Sequence, residues 1–429
     1  MNRIILFVLV GVIVLSVTAS AQLFQARMVT SAYAWQRNDA VGQTSSHLYG
    51  FQTLQLSLGG RSLSFNTHVQ GFNDFAGPLK NDPKLRLSNF SLKARNLFDL
   101  LDLQAGRFFV FAGAGVGLMD GGQATVRLPW YPVKLTGYFC ALAPAGQKIE
   151  LIQNAADNQM AGIHAVVQPL DEAQFSLSYA SKSMAQETYR AIRADSLFNP
   201  VAVDLRPSPR KEELLSADAS VDMPGLGDAY LRYDHDLHTE KFARLNAFGR
   251  VRILEGLALT GEYLQREPRV AFNSIFSVFA TSTLKEVEGG VEVEVIKDWF
   301  VVAKYGSVSY GDGTTDRITV AANGRLVGAS LSRNTTYAGD ISAASLNASY
   351  PLLDNLITPT ILVGFAQYKL DDRAPLENAL SIAGGAVVRP LPTMTVDAQV
   401  QWINNRIYAN DVRLSFRLSY LLTRRLDLF

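Results

Sequence analysis

Residues 287–295 read V-E-G-G-V-E-V-E-V, an almost strict alternation of apolar and acidic side chains. Successive side chains on a strand point to opposite faces. Val287, Gly289, Val291, Val293 and Val295 therefore share one face, and Glu286, Glu288, Gly290, Glu292 and Glu294 the other. A soluble sandwich can carry such a strand once or twice. This chain repeats the pattern from end to end and opens with a secretion-type leader. Together these point to an all-β protein, an antiparallel up-and-down β-barrel that crosses a membrane with valines toward lipid and glutamates toward a watery interior.

The leader is Met-Asn-Arg followed by an apolar run over residues 4–17. That run is short for a spanning helix and suits a signal-peptide core. Ala19-Ser20-Ala21 supplies the cleavage site, so residues 1–21 are expected to be a cleaved signal peptide and residues 22–429 a single barrel domain. No second long apolar run follows, which excludes helical spans. The lone cysteine, Cys140, excludes a disulfide scaffold. Forty basic residues against 39 acidic ones give no excess that would attract nucleic acid.

Strands of roughly 10 residues are joined by two kinds of connection. Tight turns rich in Gly, Pro, Asn and Asp fall at 59–60, 96–100, 129–132, 169–172, 224–227, 253–256, 297–298, 351–355 and 389–392. Such residues permit positive φ or preset it near −65°. Longer polar stretches fall at 37–47, 73–84, 143–157, 181–210, 266–282 and 311–340. Short turns on one side and long loops on the other are the rule for outer-membrane barrels. Nine hairpins and two end strands give an expected 18–20 strands, with room for one further hairpin inside 311–340. Aromatics gather near strand ends, as membrane-interface girdles require: Trp130, Tyr131, Trp299, Phe300, Tyr350 and Tyr420 at the tight-turn end, Trp35, Phe108, Phe109, Tyr138 and Tyr179 at the other.

Alternation is equally clean near the C-terminus. Val396, Ala398, Val400 and Trp402 oppose Asp397, Gln399 and Gln401, and Val412, Leu414, Phe416, Leu418 and Tyr420 oppose Arg413, Ser415, Arg417 and Ser419. A one-residue slip would put Arg413 and Arg417 in lipid at about 2–4 kcal/mol each, which fixes the outward face. After Tyr420 the pattern fails. The tail reads as a turn plus a stub, as a periplasmic extension, or as the end of a truncated chain.

Charge on the inward face is the main functional signal. Glu286, Glu288, Glu292 and Glu294 stand about 7 Å apart along one strand. They require water or facing cations. Candidate partners on other inward faces are Arg107, Arg127, Arg244, Arg250, Arg413 and Arg417, which with Asp397 and Gln399 are the expected pore-lining set. Opposed acidic and basic walls would set a field across a lumen, while local salt bridges would merely tie the wall together. Both readings stand at this level.

Other motifs carry less. Gly113-Ala114-Gly115-Val116-Gly117 lacks the following helix that a phosphate-binding loop needs. Asp234-His235-Asp236 with His238 lies at a strand–loop edge, where polar residues are expected anyway. No serine sits in a nucleophile elbow. No catalytic residues, metal or cofactor are expected.

The leader, the strand repertoire, the alternating connections and a C-terminal Phe429 resemble the Gram-negative outer-membrane porins over essentially the whole chain. Leu103-Gln104-Ala105-Gly106-Arg107, followed by a glycine-rich segment to Met119-Asp120-Gly121, adds to the resemblance. It is similar to the Gly-Arg strand and downstream Asp-Gly turn of many porins, where a nearby loop folds inward. The resemblance implies a cell outer-membrane channel for passive diffusion of small hydrophilic solutes. It further implies a constriction over residues 109–122 with Phe109, Phe111 and Asp120. The partners it implies are outer-membrane lipids, the barrel-assembly machinery and, as in many porins, two further copies in a homotrimer. Alternatives are a substrate-specific channel for sugars, organic acids or an exported polysaccharide, and a non-conducting structural or adhesive barrel.

Overall fold

In the computed structural model, the strand that contains the acidic alternation shows its valines to the surroundings. Val287 is 56 % and Val291 38 % exposed, whereas Glu286, Glu288 and Glu292 are half-buried. This inverts the pattern of a soluble sheet and recurs around the molecule, with Leu231, Leu259, Leu346, Ile382, Leu414 and Phe416 all exposed. Apolar surface this continuous requires a non-aqueous neighbour. The structure describes residues 22–426 except 61, 78–83, 195, 269–281, 312, 337–338 and 370–372. The expected signal peptide and the final Phe429 lie outside these residues.

Strand β1 (Gln22–Asp39) is followed by the hairpins β2 (Thr44–Gly59) with β3 (Leu63–Asp74), β4 (Leu85–Leu97) with β5 (Leu101–Ala112), β6 (Gly115–Leu128) with β7 (Val133–Leu142), and β8 (Gln159–Leu170) with β9 (Ala173–Met184). A separate two-stranded unit, β10 (Tyr189–Ala194) and β11 (Pro200–Leu205), is inserted next. The barrel resumes with β12 (Arg210–Met223) and β13 (Gly227–Asp236), then β14 (Lys241–Leu254) and β15 (Leu257–Arg266). There follow β16 (Leu284–Ile296) and β17 (Trp299–Tyr310), β18 (Gly313–Asn323) and β19 (Val327–Thr336), and β20 (Gly339–Ser349) and β21 (Ile357–Tyr368). It ends with β22 (Glu377–Leu391), β23 (Met394–Asn404) and β24 (Tyr408–Leu426).

Each barrel strand pairs antiparallel with the next, β9 joins β12 across the insertion, and β24 closes on β1. The closed sheet has 22 strands, two more than the upper expectation. The added hairpin is β18–β19, inside residues 311–340, which read as a polar connection. The same correction applies at 37–47. There β1 and β2 stay paired to Asn38↔Thr44, and the connection shrinks to residues 40–43. In both places the backbone groups are satisfied by the ladder, so polar side chains at the rim do not end the strand. The long connections that remain are 75–84, 143–158, 185–209, 267–283 and 369–376, all at the end opposite the tight turns.

The tail is also corrected. β24 continues past Tyr420 in register with β1, pairing Leu421↔Arg27 and Thr423↔Gln25 through to Leu426↔Gln22. Thr423, Arg424 and Arg425 are legible as strand only because β1 supplies the partner; their side-chain pattern alone breaks the alternation. Four of the aromatics assigned to the girdle lie inside the barrel instead, Phe109 among them on the bent end of β5. Trp35 shares a face with Tyr33 and Arg37, and Phe108 and Tyr138 are buried. Trp130, Tyr131, Trp299, Phe300, Tyr350 and Tyr420 are exposed at the tight-turn end.

Candidate functional site

The inner wall can be traced row by row from the register. On β14–β18 it carries the acidic strand and its counter-ions. Arg250 Nε donates to Glu292 Oε2 at 2.7 Å, and Lys304 Nζ lies 3.0 Å from Glu288 Oε1. Arg317 donates to Glu288 Oε2 at 2.6 Å and also to Glu286. Lys304 sits directly opposite Gly290 in the register, and a Cβ on Gly290 would lie 2.9 Å from Lys304 Cγ. The missing side chain lets the lysine cross toward Glu288. Three carboxylates are thus neutralised within their own stretch of wall, and only Arg250 of the expected arginines takes part. Lys304 and Arg317 were missed because pairing register is not visible in one sequence, and because Arg317 lay in a stretch read as loop. Glu294, exposed beside an irregularity in the ladder, enters no ion pair among the described residues.

The other expected residues fall into separate groups. Arg127 holds Asp102 at 2.7 Å on the inner face of β5–β6. Arg232 holds Asp234 at 2.9 Å, while Ser176 and Tyr230 both donate to Asp218 at 2.9 Å. Arg244 faces Asp234 and Arg266 in the register without an ion pair among the described residues. Arg413 Nη2 and Arg37 Nε share the fully buried Asp411, at 2.8 and 3.1 Å. Arg417 is the register partner of Asp397, and Gln399 that of Ser415. Among the described residues no cluster of His, Cys, Asp and Glu could hold a metal ion.

Residues 109–122 behave differently from the rest of the wall. β5 and β6 pair to the tip at Ala112↔Gly115, but β5 leaves β4 after Arg107 and β6 leaves β7 before Met119. The free end of this hairpin turns back across the inner face of β7–β9. Ala114 N donates to Ser178 Oγ at 2.9 Å, and Ser178 shares the polar face of β9 with Ser176 while Phe175 and Leu177 point out. Phe108, Val110, Ala112 and Met119 pack there against Tyr138, Cys140 and Met160. The bend lies at the register pair Gly106–Gly121. Gly106 has φ +118°, and a Cβ there would meet Phe90 O at 2.2 Å, so no other residue fits.

Arg107 and Asp120 clamp the root of the hairpin. Their side chains pair twice, at 2.6 and 2.7 Å, and Arg107 also donates to the carbonyls of Lys148 and Glu150 at 2.6 and 2.7 Å. Arg107 is only 4 % exposed. It lies on the opposite face from Asp102 and Gln104, and it fastens the 143–158 connection over the hairpin. Phe109 and Phe111, stacked 4.4 Å apart on that same face, remain exposed.

No family model and no curated protein matches the chain. Among solved structures, it is similar to Acinetobacter baumannii OccAB4 (8 % identity, TM-score 0.46, covering 95 % of this chain and 99 % of that one). It is also similar to Pseudomonas aeruginosa OccK3 (OpdO) (12 % identity, TM-score 0.43, covering 93 % and 96 %). P. aeruginosa OccK2 (OpdF), solved in complex with glucuronate, follows at 9 % identity and TM-score 0.41, covering 93 % and 98 %. These likenesses are remote.

Proposed function

We propose that the protein is a channel of the Gram-negative outer membrane, allowing passive diffusion of small hydrophilic solutes through the barrel. The observation that carries this reading is the inversion of polarity around a closed sheet: exposed Val, Leu, Ile and Phe outside, Glu, Arg, Asp, Gln and Ser inside. A closed sheet satisfies every backbone group without water, so it can sit in hydrocarbon. A barrel of this strand number is wide enough to leave a lumen that side chains alone do not fill. The leader at 1–21 would be removed on export and the barrel would form from residue 22 onward. The free end of the β5–β6 hairpin and the connection clamped to Arg107 would narrow the lumen, with Phe109, Phe111 and Asp120 at the narrow level.

Planar-bilayer recording tests this. Discrete, ohmic conductance steps from purified, folded protein are the expected result. A folded protein that stays silent would sink the channel reading in favour of a sealed structural barrel.

A further inference from the structure

Most of the inner wall carries Ser, Thr, Gln and charged side chains, but one sector carries rings. On β1–β3 the inward residues include Tyr33, Trp35, His47, Tyr49, Phe51 and Phe72. They form one connected set. Tyr33 stacks on Tyr49 (6.3 Å between centroids, 13° between planes), Tyr49 on His47 (5.6 Å, 6°) and on Phe72 (5.7 Å, 24°). Trp35 lies 4.8 Å from His47, and the Arg37 guanidinium covers Trp35 at 4.1 Å. The row ends at Tyr33, whose neighbour on the other side is the small Ser415 of β24, followed by Gln399 of β23. Tyr33 therefore has Tyr49 on one side and only the short Ser415 on the other, a gap in the row of rings.

The polar groups around that gap are uncommitted. Gln399, Asp397 and Arg417 make no hydrogen bond or ion pair among the described residues, although Asp397 and Arg417 are register partners. Gln399 and Arg417 are exposed. Charges of both signs lie in these rows and nearly balance: Arg37, Arg413, Arg417 and Lys84 against Asp411, Asp397 and Asp74.

We infer that this sector binds a neutral, hydroxyl-bearing ring, a sugar of the pyranose type. An aromatic face takes the apolar C–H face of such a ring. A carboxylate, an amide and a guanidinium side by side offer the acceptors and donors that hydroxyls need, since each hydroxyl both donates and accepts. Near-balanced charge gives little net pull on an anion or a cation, which leaves a neutral solute the best match. The inference rests on the channel reading only for how the sugar reaches the wall.

The test is equilibrium binding of maltotriose, cellotriose and lactose to the folded full-length protein in detergent micelles, by calorimetry, with sodium gluconate as a charged comparator. Saturable binding of at least one neutral sugar, and weaker binding of gluconate, is expected. Tyr33→Ala should weaken the sugar about tenfold or more, as loss of a stacking face does. Tyr33→Phe keeps the face and should stay within about twofold, which separates stacking from a fold defect. Gln399→Ala, on an exposed side chain, gives a second arm, with binding reduced severalfold. The inference is overturned if none of the three sugars binds saturably, or if Tyr33→Ala binds as the native protein does. Sugar binding in micelles by a protein silent in bilayers would refute the channel and uphold the site. Conductance without sugar binding would do the reverse.

Discussion

Gly290 governs how the acidic strand is neutralised. Its lack of a side chain leaves the path by which Lys304 reaches Glu288. A valine at this position would press on Thr260 Oγ1 and Lys304 Cγ, at 2.6 and 2.9 Å for the first added carbon alone. Gly290→Val and Lys304→Met are both expected to lower stability by about 1–3 kcal/mol, since a half-buried carboxylate loses a charged partner. The expected shift is measured as the urea midpoint of micelle-folded protein. Arg317→Gln should move reversal potentials in a salt gradient toward cation preference, because Glu286 and Glu288 both lose their guanidinium. An unmoved potential would place this wall outside the conduction path. The face of each glutamate was legible in V-E-G-G-V-E-V-E-V, because period-two alternation is a local property. The partners were not, because they depend on which residue of β17 and β18 stands opposite.

At the scale of elements, the β5–β6 hairpin departs most from a plain wall. Phe108-Phe109-Val110-Phe111-Ala112 is apolar on both faces, so alternation gave no inside or outside there. The reason is that one face packs on Tyr138, Cys140 and Met160 while the other carries exposed phenylalanines. The glycine-rich composition marked the place, and the structure adds that the segment is a hairpin rather than a loop. Replacing residues 109–118 by a short Gly-Ser turn should raise single-channel conductance. If conductance stays the same, the hairpin does not obstruct the lumen. Ser178→Val removes the acceptor for Ala114 N and crowds Gly113, so brief current fluctuations should become more frequent.

At the scale of the molecule, stability depends on which face meets lipid and on whether the sheet closes. Leu414→Arg should cost about 2–4 kcal/mol, while Ser415→Arg, one residue on and facing the lumen, should cost little. The comparison is read from unfolding midpoints of the two variants. Stopping the chain after Tyr420 removes the partners of residues 22–27 and leaves an open edge. Such a chain should fail to form heat-resistant, folded protein. The even parity and antiparallel order were legible, since they follow from turn composition. The number 22 was not, because β18–β19 carries Thr315, Asp316, Arg317, Asn334 and Thr335 toward the rim, a composition shared by strands above a membrane and by loops.

Closure also decides when the ring-bearing sector exists. Arg37 and Asp411 meet across 374 residues of sequence, and Tyr33, Ser415 and Gln399 come into line only once the last strand has found the first. An incomplete barrel has no such gap to offer. Ligand capture at this seam would therefore report on assembly: a molecule able to hold its solute is, by construction, one whose two ends have been joined.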